Sequence, residues 1–137
     1  MLSVNDRKKL KNIFAAFKVI KAAYLFGSFA EGRANTLSDF DFGVLLEEGY
    51  QSQIKLDILA ALAENDFCRV DLVVLNEADL LLRFEVVKHN EILYRREDFD
   101  ASGYFSRVIR EYLDFKPFLE VQRMYLKRNL RGARPGG

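Results

Sequence analysis

Between Asp39 and Leu46 the chain reads DFDFGVLL, two acidic residues alternating with two phenylalanines before the run turns wholly apolar. Period-two alternation is the signature of a β-strand, whose successive side chains point to opposite faces. This strand therefore has one polar-capable face at its start and is buried at its end, which demands a sheet with covering layers. Two further short runs fit the same sheet. Residues 22–26 (AAYLF) form an apolar stretch ending at Gly27, and residues 69–75 (RVDLVVL) are rich in β-branched side chains.

Segments of helical period lie between and around these strands. Ser3 is a candidate N-cap with Asp6 three residues on, and Leu10, Ile13, Phe14 and Phe17 carry helical spacing to about Ile20. Residues 51–65 place Ile54, Ile58, Leu59 and Leu62 inward, residues 77–89 are helical, and residues 92–95 fit an edge strand. After residue 100 the chain is helical, with Phe105, Val108, Ile109 and Tyr112 on one face. Pro117 breaks or kinks that helix, because it lacks an amide donor and clashes with the preceding turn. A further helix carries Phe118, Val121 and Tyr125, and the tail RGARPGG frays. The fold class is α/β (α+β): a mixed sheet flanked by helices, with C-terminal helices. One domain is expected over 1–137, its core at about 20–95 and a helical extension at about 100–131.

Composition narrows the function classes. Half of the residues are apolar and 30% are charged, which suits a packed globular chain rather than a disordered one. Neither a bilayer-spanning run nor the apolar core of a secretory signal is present, and the lone Cys68 precludes an internal disulfide. A cytoplasmic location is expected, with Cys68 buried as a structural thiol. The near-zero net charge hides a division. Residues 39–100 hold fifteen acidic and six basic residues, whereas the flanks are basic. An acidic centre suits a metal site and basic flanks suit a polyphosphate or an acidic partner, although many of these charges also serve as solvated helix faces.

The chemistry concentrates in residues 27–41, GSFAEGRANTLSDFD, and in Asp71. Asp39 and Asp41 are two apart on one strand, so their carboxylates share a face with Cα atoms roughly 6.5–7 Å apart. Like charges this close repel, and each is costly to desolvate; a divalent cation relieves both problems, and Mg²⁺ prefers oxygen ligands while leaving room for water and phosphate. Asp71 sits among Val70, Leu72, Val73 and Val74, where an acid needs a reason. It is a third ligand, or else a solvated strand-end residue paired with Arg69. Gly27 at the strand's end permits close backbone approach, and the amides of a following turn, the Ser28 hydroxyl, Ser38 and Arg33 are candidates for triphosphate binding. Gly-Ser, ten residues, Asp-any-Asp arises by chance in roughly one of several hundred chains of this length.

This set of residues resembles the nucleotidyltransferase superfamily that includes DNA polymerase beta, and within it the minimal nucleotidyltransferase (MNT) branch. The resemblance rests on Gly27, Ser28, Asp39, Asp41 and the later strand acid Asp71, and spans roughly residues 20–95. It implies a polymerase-beta-like fold, two Mg²⁺ ions on the three aspartates, and ATP or another NTP bound through the Gly-Ser turn. It also implies a HEPN-type protein partner, often a toxin to which the MNT protein is antitoxin, with AMP moved to a tyrosine of that partner (AMPylation). One departure stands out: Ala30-Glu31-Gly32 occupies the place of an Ala-Arg-Gly common in relatives, with Arg33 next.

The expected reaction is transfer of a nucleoside monophosphate to a hydroxyl, Asp71 standing nearest the nucleophile. Only some forty residues follow the core, too few for a second domain that would bind a small acceptor, which favours a protein acceptor. Phe105, Tyr112, Phe115, Phe118 and Tyr125 are candidates for a partner surface, though most are expected in the core. Two alternatives stay open: a small-molecule (antibiotic-type) nucleotidyltransferase, with a homo-oligomer supplying the missing wall, and a non-catalytic antitoxin that neutralises its partner by binding. The cluster Lys127, Arg128, Arg131 and Arg134 reads mainly as a solvated helix end rather than a nucleic-acid site. His89 reads as a surface residue.

Overall fold

The computed structural model describes residues 2–32 and 39–132, with side chains to residue 128. Its elements are α1 (Val4–Ala15), β1 (Ile20–Phe26), the single turn α2 (Gly27–Ala30), β2 (Phe40–Leu46), α3 (Ile54–Glu64), β3 (Val70–Val74), a 3-10 turn (Leu75–Glu77), α4 (Leu80–Val87), β4 (Ile92–Arg95) and α5 (Ala101–Gly132). The strands form a mixed sheet ordered β3-β2-β1-β4. β1 is antiparallel to both β2 and β4, while β2 and β3 run parallel. The expected edge strand is therefore real, and the fold class is that read from the sequence.

Each face of the sheet owns a core. Phe42, Val44 and Leu46 of β2 and Leu72 and Val74 of β3 pack with Leu10, Ile13 and Phe14 of α1 and Ile58 and Leu62 of α3. On the other face, Ala22 and Tyr24 of β1 meet Val86 and Val87 of α4 and Tyr104 and Val108 of α5. Gly43 makes the second layer possible, since a Cβ there would stand 2.5 Å from Val86 Cγ1. Asn76 of the 3-10 turn finishes the end of β2 in the manner of a strand neighbour. Its side-chain amide accepts from the Leu46 N–H at 2.8 Å and donates to the Leu46 carbonyl at 2.7 Å.

The boundaries differ from expectation in physically informative places. The Ser3–Asp6 capping box forms. However, α1 ends at Ala15, and Ile20 opens β1 rather than closing the helix. A register irregularity between Ile20 and Ala22 lets both residues be buried on opposite faces, a bulge that a period count along the sequence does not register. The helix expected over 77–89 starts at Leu80, because the Asp79 side chain accepts from the Leu82 N–H at 2.9 Å and fixes the N-terminus there. Cys68 is exposed, not buried: Phe67 beside it takes the core position.

The largest departure is α5. The sequence predicts two helices divided at Pro117, and one helix of 32 residues runs through it. Proline removes a single amide, whose acceptor would have been the carbonyl of Leu113. Leu113 is exposed, so water can take that carbonyl. The second departure follows from the first. Continuing onward, α5 leaves the body of the protein after Tyr112, whose ring stacks on Phe84 of α4 at 3.7 Å. Phe115, Phe118 and Tyr125, expected mostly in the core, are exposed together with Leu113, Val121, Met124 and Leu126.

Candidate active site

The site lies where the C-terminal end of β1 meets the N-terminal ends of β2 and β3. In the parallel pairing Asp41 stands directly opposite Asp71, on strands roughly 4.8 Å apart. The alternate residues Phe40, Phe42, Val70 and Leu72 all belong to the core under α1 and α3. Asp41 and Asp71 consequently share the other face, and Asp39, two residues before Asp41, continues the same row. The pairing register thus brings together two acids thirty residues apart in sequence.

Gly27 closes the site from the side of β1. Phe26 is paired with Asp41 across the antiparallel ladder, and at Gly27 the backbone turns with φ +72°. A Cβ at Gly27 would lie 2.1 Å from Asp41 Oδ2. Glycine is required twice over, by the left-handed backbone and by the carboxylate resting on its Cα. Ser28 follows in α2, whose position is set from behind by the Phe29 ring stacked on Phe40 at 4.2 Å. The residue preceding α2, Phe26, has no side-chain acceptor to offer the first-turn amides.

Electrostatics mark Asp41 as the strained member. Its carboxyl is held above the ordinary carboxylate range, first by burial and then by repulsion from Asp71 and Asp39. Asp39 is exposed and accepts from Arg69 Nε at 3.1 Å. Arg69, a possible partner for Asp71 on sequence grounds, instead pairs with Asp39. Among the described residues no three acidic, histidine or cysteine side chains converge closely enough to cage an ion by themselves. The donor chemistry nevertheless suits a hard divalent cation: oxygen ligands only, an excess of negative charge, and one carboxylate made uncomfortable by that excess.

The sequence profile "Polymerase beta, Nucleotidyltransferase" matches residues 8–99, from α1 through β4. The chain belongs to the polymerase beta nucleotidyltransferase family. A curated relative, the protein adenylyltransferase MntA of Aphanizomenon flos-aquae (strain 2012/KM1/D3), is 30% identical over 107 residues, covering 71% of each chain. Among solved structures, a toxin-antitoxin complex with AMP-PNP contains a chain with TM-score 0.71 and 23% identity, covering 92% of this chain and 98% of that one. A complex of the tri-AMPylated HEPN toxin of Shewanella oneidensis with its MNT antitoxin gives TM-score 0.67 at 22% identity, covering 96% of this chain and 99% of that one.

Of the residues singled out from sequence, the fold brings Gly27, Asp41 and Asp71 together, with Asp39 in the same row and Ser28 on the adjoining turn. Arg33 and Ser38 lie outside the described residues. Sequence reasoning missed a second layer. Glu31, one turn beyond Gly27, lies 3.8 Å from Lys88 Nζ and 3.4 Å from His89 Nε2. Nothing in the local sequence pairs residues 31 and 88; the contact exists because α4 crosses the sheet face that carries the acids. Among the described residues no helix is long and apolar enough to cross a membrane.

Proposed function

We propose that this nucleotidyltransferase moves AMP from ATP to a tyrosine hydroxyl of a HEPN-type protein partner and serves as that partner's antitoxin. The observation that carries the reading is the Asp41–Asp71 pairing against Gly27, with Asp39 in the same row. Asp39, Asp41 and Asp71 would hold Mg²⁺, two ions in the arrangement the family implies, and Asp39 would exchange Arg69 for this role. Bound there, Mg²⁺ would supply charge neutralisation for the leaving pyrophosphate and acidify the acceptor hydroxyl. The protein's own part is positional. The Gly27–Ser28 turn seats the triphosphate through backbone amides and the Ser28 hydroxyl, with Arg33 and Ser38 as further contacts. Asp71, on the edge strand β3, accepts the proton of the incoming hydroxyl.

Two findings support a protein acceptor. The relative named MntA is a protein adenylyltransferase. The outer half of α5 also presents a broad apolar surface, with Phe118, Val121, Met124 and Tyr125 more than half exposed. Patches of this kind mark protein interaction sites. The test is incubation with α-labelled ATP, Mg²⁺ and the protein product of the neighbouring gene. Label should appear on a tyrosine of that protein with the wild type and vanish with Asp39→Asn/Asp41→Asn, whose melting temperature stays near the wild-type value. Labelling retained in the double variant, or absent with the wild type, refutes the reading.

A further inference from the structure

The contact between Glu31 and the end of α4 has a consequence for nucleotide binding. Glu31 closes the one-turn helix α2, its N–H donating to the Gly27 carbonyl at 3.1 Å. Its backbone therefore sits one helical turn from the glycine that touches Asp41. A triphosphate seated on the Gly27–Ser28 turn would meet this fourth negative charge in addition to the aspartates. The structure brings two basic side chains to Glu31 from the turn that ends α4. Lys88 Nζ lies 3.8 Å from Glu31 Oε1, and His89 Nε2 lies 3.4 Å from the same oxygen. Lys88 is itself tethered by Glu85 at 2.8 Å. That hydrogen bond raises its pKa, keeping it charged across the physiological range. Lys88 and Glu31 are both largely covered, so neither side chain is a freely waving surface group.

We infer that Lys88 is a positioning residue of the nucleotide site: by holding the Glu31 carboxylate against the end of α4, it turns that charge away from the triphosphate. The inference rests on the nucleotide-binding reading of that turn. Lys88 acts through Glu31 and not by touching phosphate, which makes its effect conditional on the glutamate. His89 adds a second contact to the same oxygen.

The experiment is a double-mutant cycle on the full chain, measuring the Kd of Mg²⁺-ATP by calorimetry for wild type, Lys88→Met, Glu31→Gln and the combined variant, with thermal melts in parallel. Lys88→Met should weaken ATP by about fivefold at low salt, as expected for a partly shielded charge pair. Glu31→Gln should bind at least as well as wild type, and the combined variant should match Glu31→Gln. Lys88→Arg should restore most of the affinity, and the loss should shrink in high salt. An equal loss from Lys88→Met with and without Glu31 would show direct phosphate contact and overturn the inference, as would no loss at all. Should Lys88→Met prove unfolded by its melt, Glu31→Gln and Lys88→Arg decide the matter: weakened ATP binding in the former or an unrestored Kd in the latter overturns the inference. Absence of ATP binding by the wild type would instead strike the nucleotide reading itself.

Discussion

At the residue scale, Asp41 concentrates the tension of the site. Its pKa is raised in the folded chain by burial and by Asp71 and Asp39. Below the ordinary value of 3.8 both folded and unfolded chains hold the proton, and no penalty arises. As pH rises through the raised value the folded chain is forced to carry the charge, so stability falls. Without divalent cations, Asp41→Asn should therefore gain on the wild type in denaturation midpoint as pH climbs from about 4 to about 7. Adding Mg²⁺ should close the gap, and a gap independent of both pH and Mg²⁺ would contradict the electrostatic account. Gly27 gives the steric counterpart. Gly27→Ala forces a Cβ onto Asp41 Oδ2 in a left-handed backbone. We expect a loss of about 1–3 kcal/mol in urea denaturation together with loss of transfer; wild-type stability and turnover in that variant would disprove the close approach.

At the element scale, α5 is two objects in one helix. Its first three turns are bound to the body through Tyr104, Val108 and the Phe84–Tyr112 stack. Its remainder carries apolar side chains that stay exposed beyond the two sheet cores. Truncation after Asp114 should accordingly leave the thermal midpoint within a few degrees of the full chain while abolishing co-purification with the proposed HEPN-type partner. A collapse of the fold on truncation would show that the outer half is structural. The same layer contains a polar anomaly. The Tyr24 and Tyr104 hydroxyls are buried without a hydrogen-bond partner among the described residues, and burial raises the pKa of both. Deleting an orphaned hydroxyl removes a desolvation cost. Tyr24→Phe should thus be neutral or stabilising by up to about 1 kcal/mol, and a clearly destabilised Tyr24→Phe would reveal a partner for that hydroxyl.

At the scale of the whole molecule, the sheet's two faces divide the work: α1 and α3 seal one core, while the face under α4 and α5 carries the acids at its open end. Ligand binding to such a site couples directly to global stability. Saturating Mg²⁺-ATP at about one hundred times its Kd should add about 2.7 kcal/mol to unfolding, seen as a rise in melting temperature that Asp39→Asn/Asp41→Asn lacks. Equal shifts in both proteins would place the nucleotide elsewhere.

Local chemistry written in the chain was enough to find the four strands, though not the start of β1, the Ser3–Asp6 cap and the edge position of residues 92–95, and to nominate Gly27, Ser28, Asp39 and Asp41 as candidates, because alternation, capping and a Gly-Ser turn at fixed distance from two aspartates are properties of neighbours. What only the tertiary structure decided are relations between distant segments. The parallel register sets Asp71 opposite Asp41, Arg69 reaches Asp39 and not Asp71, and α4 delivers Lys88 to Glu31. The fate of α5 belongs to the same class. Helical period identifies an apolar face but says nothing of what covers it, and whether Phe118 and Tyr125 are core or surface depended on where Pro117 let the helix go.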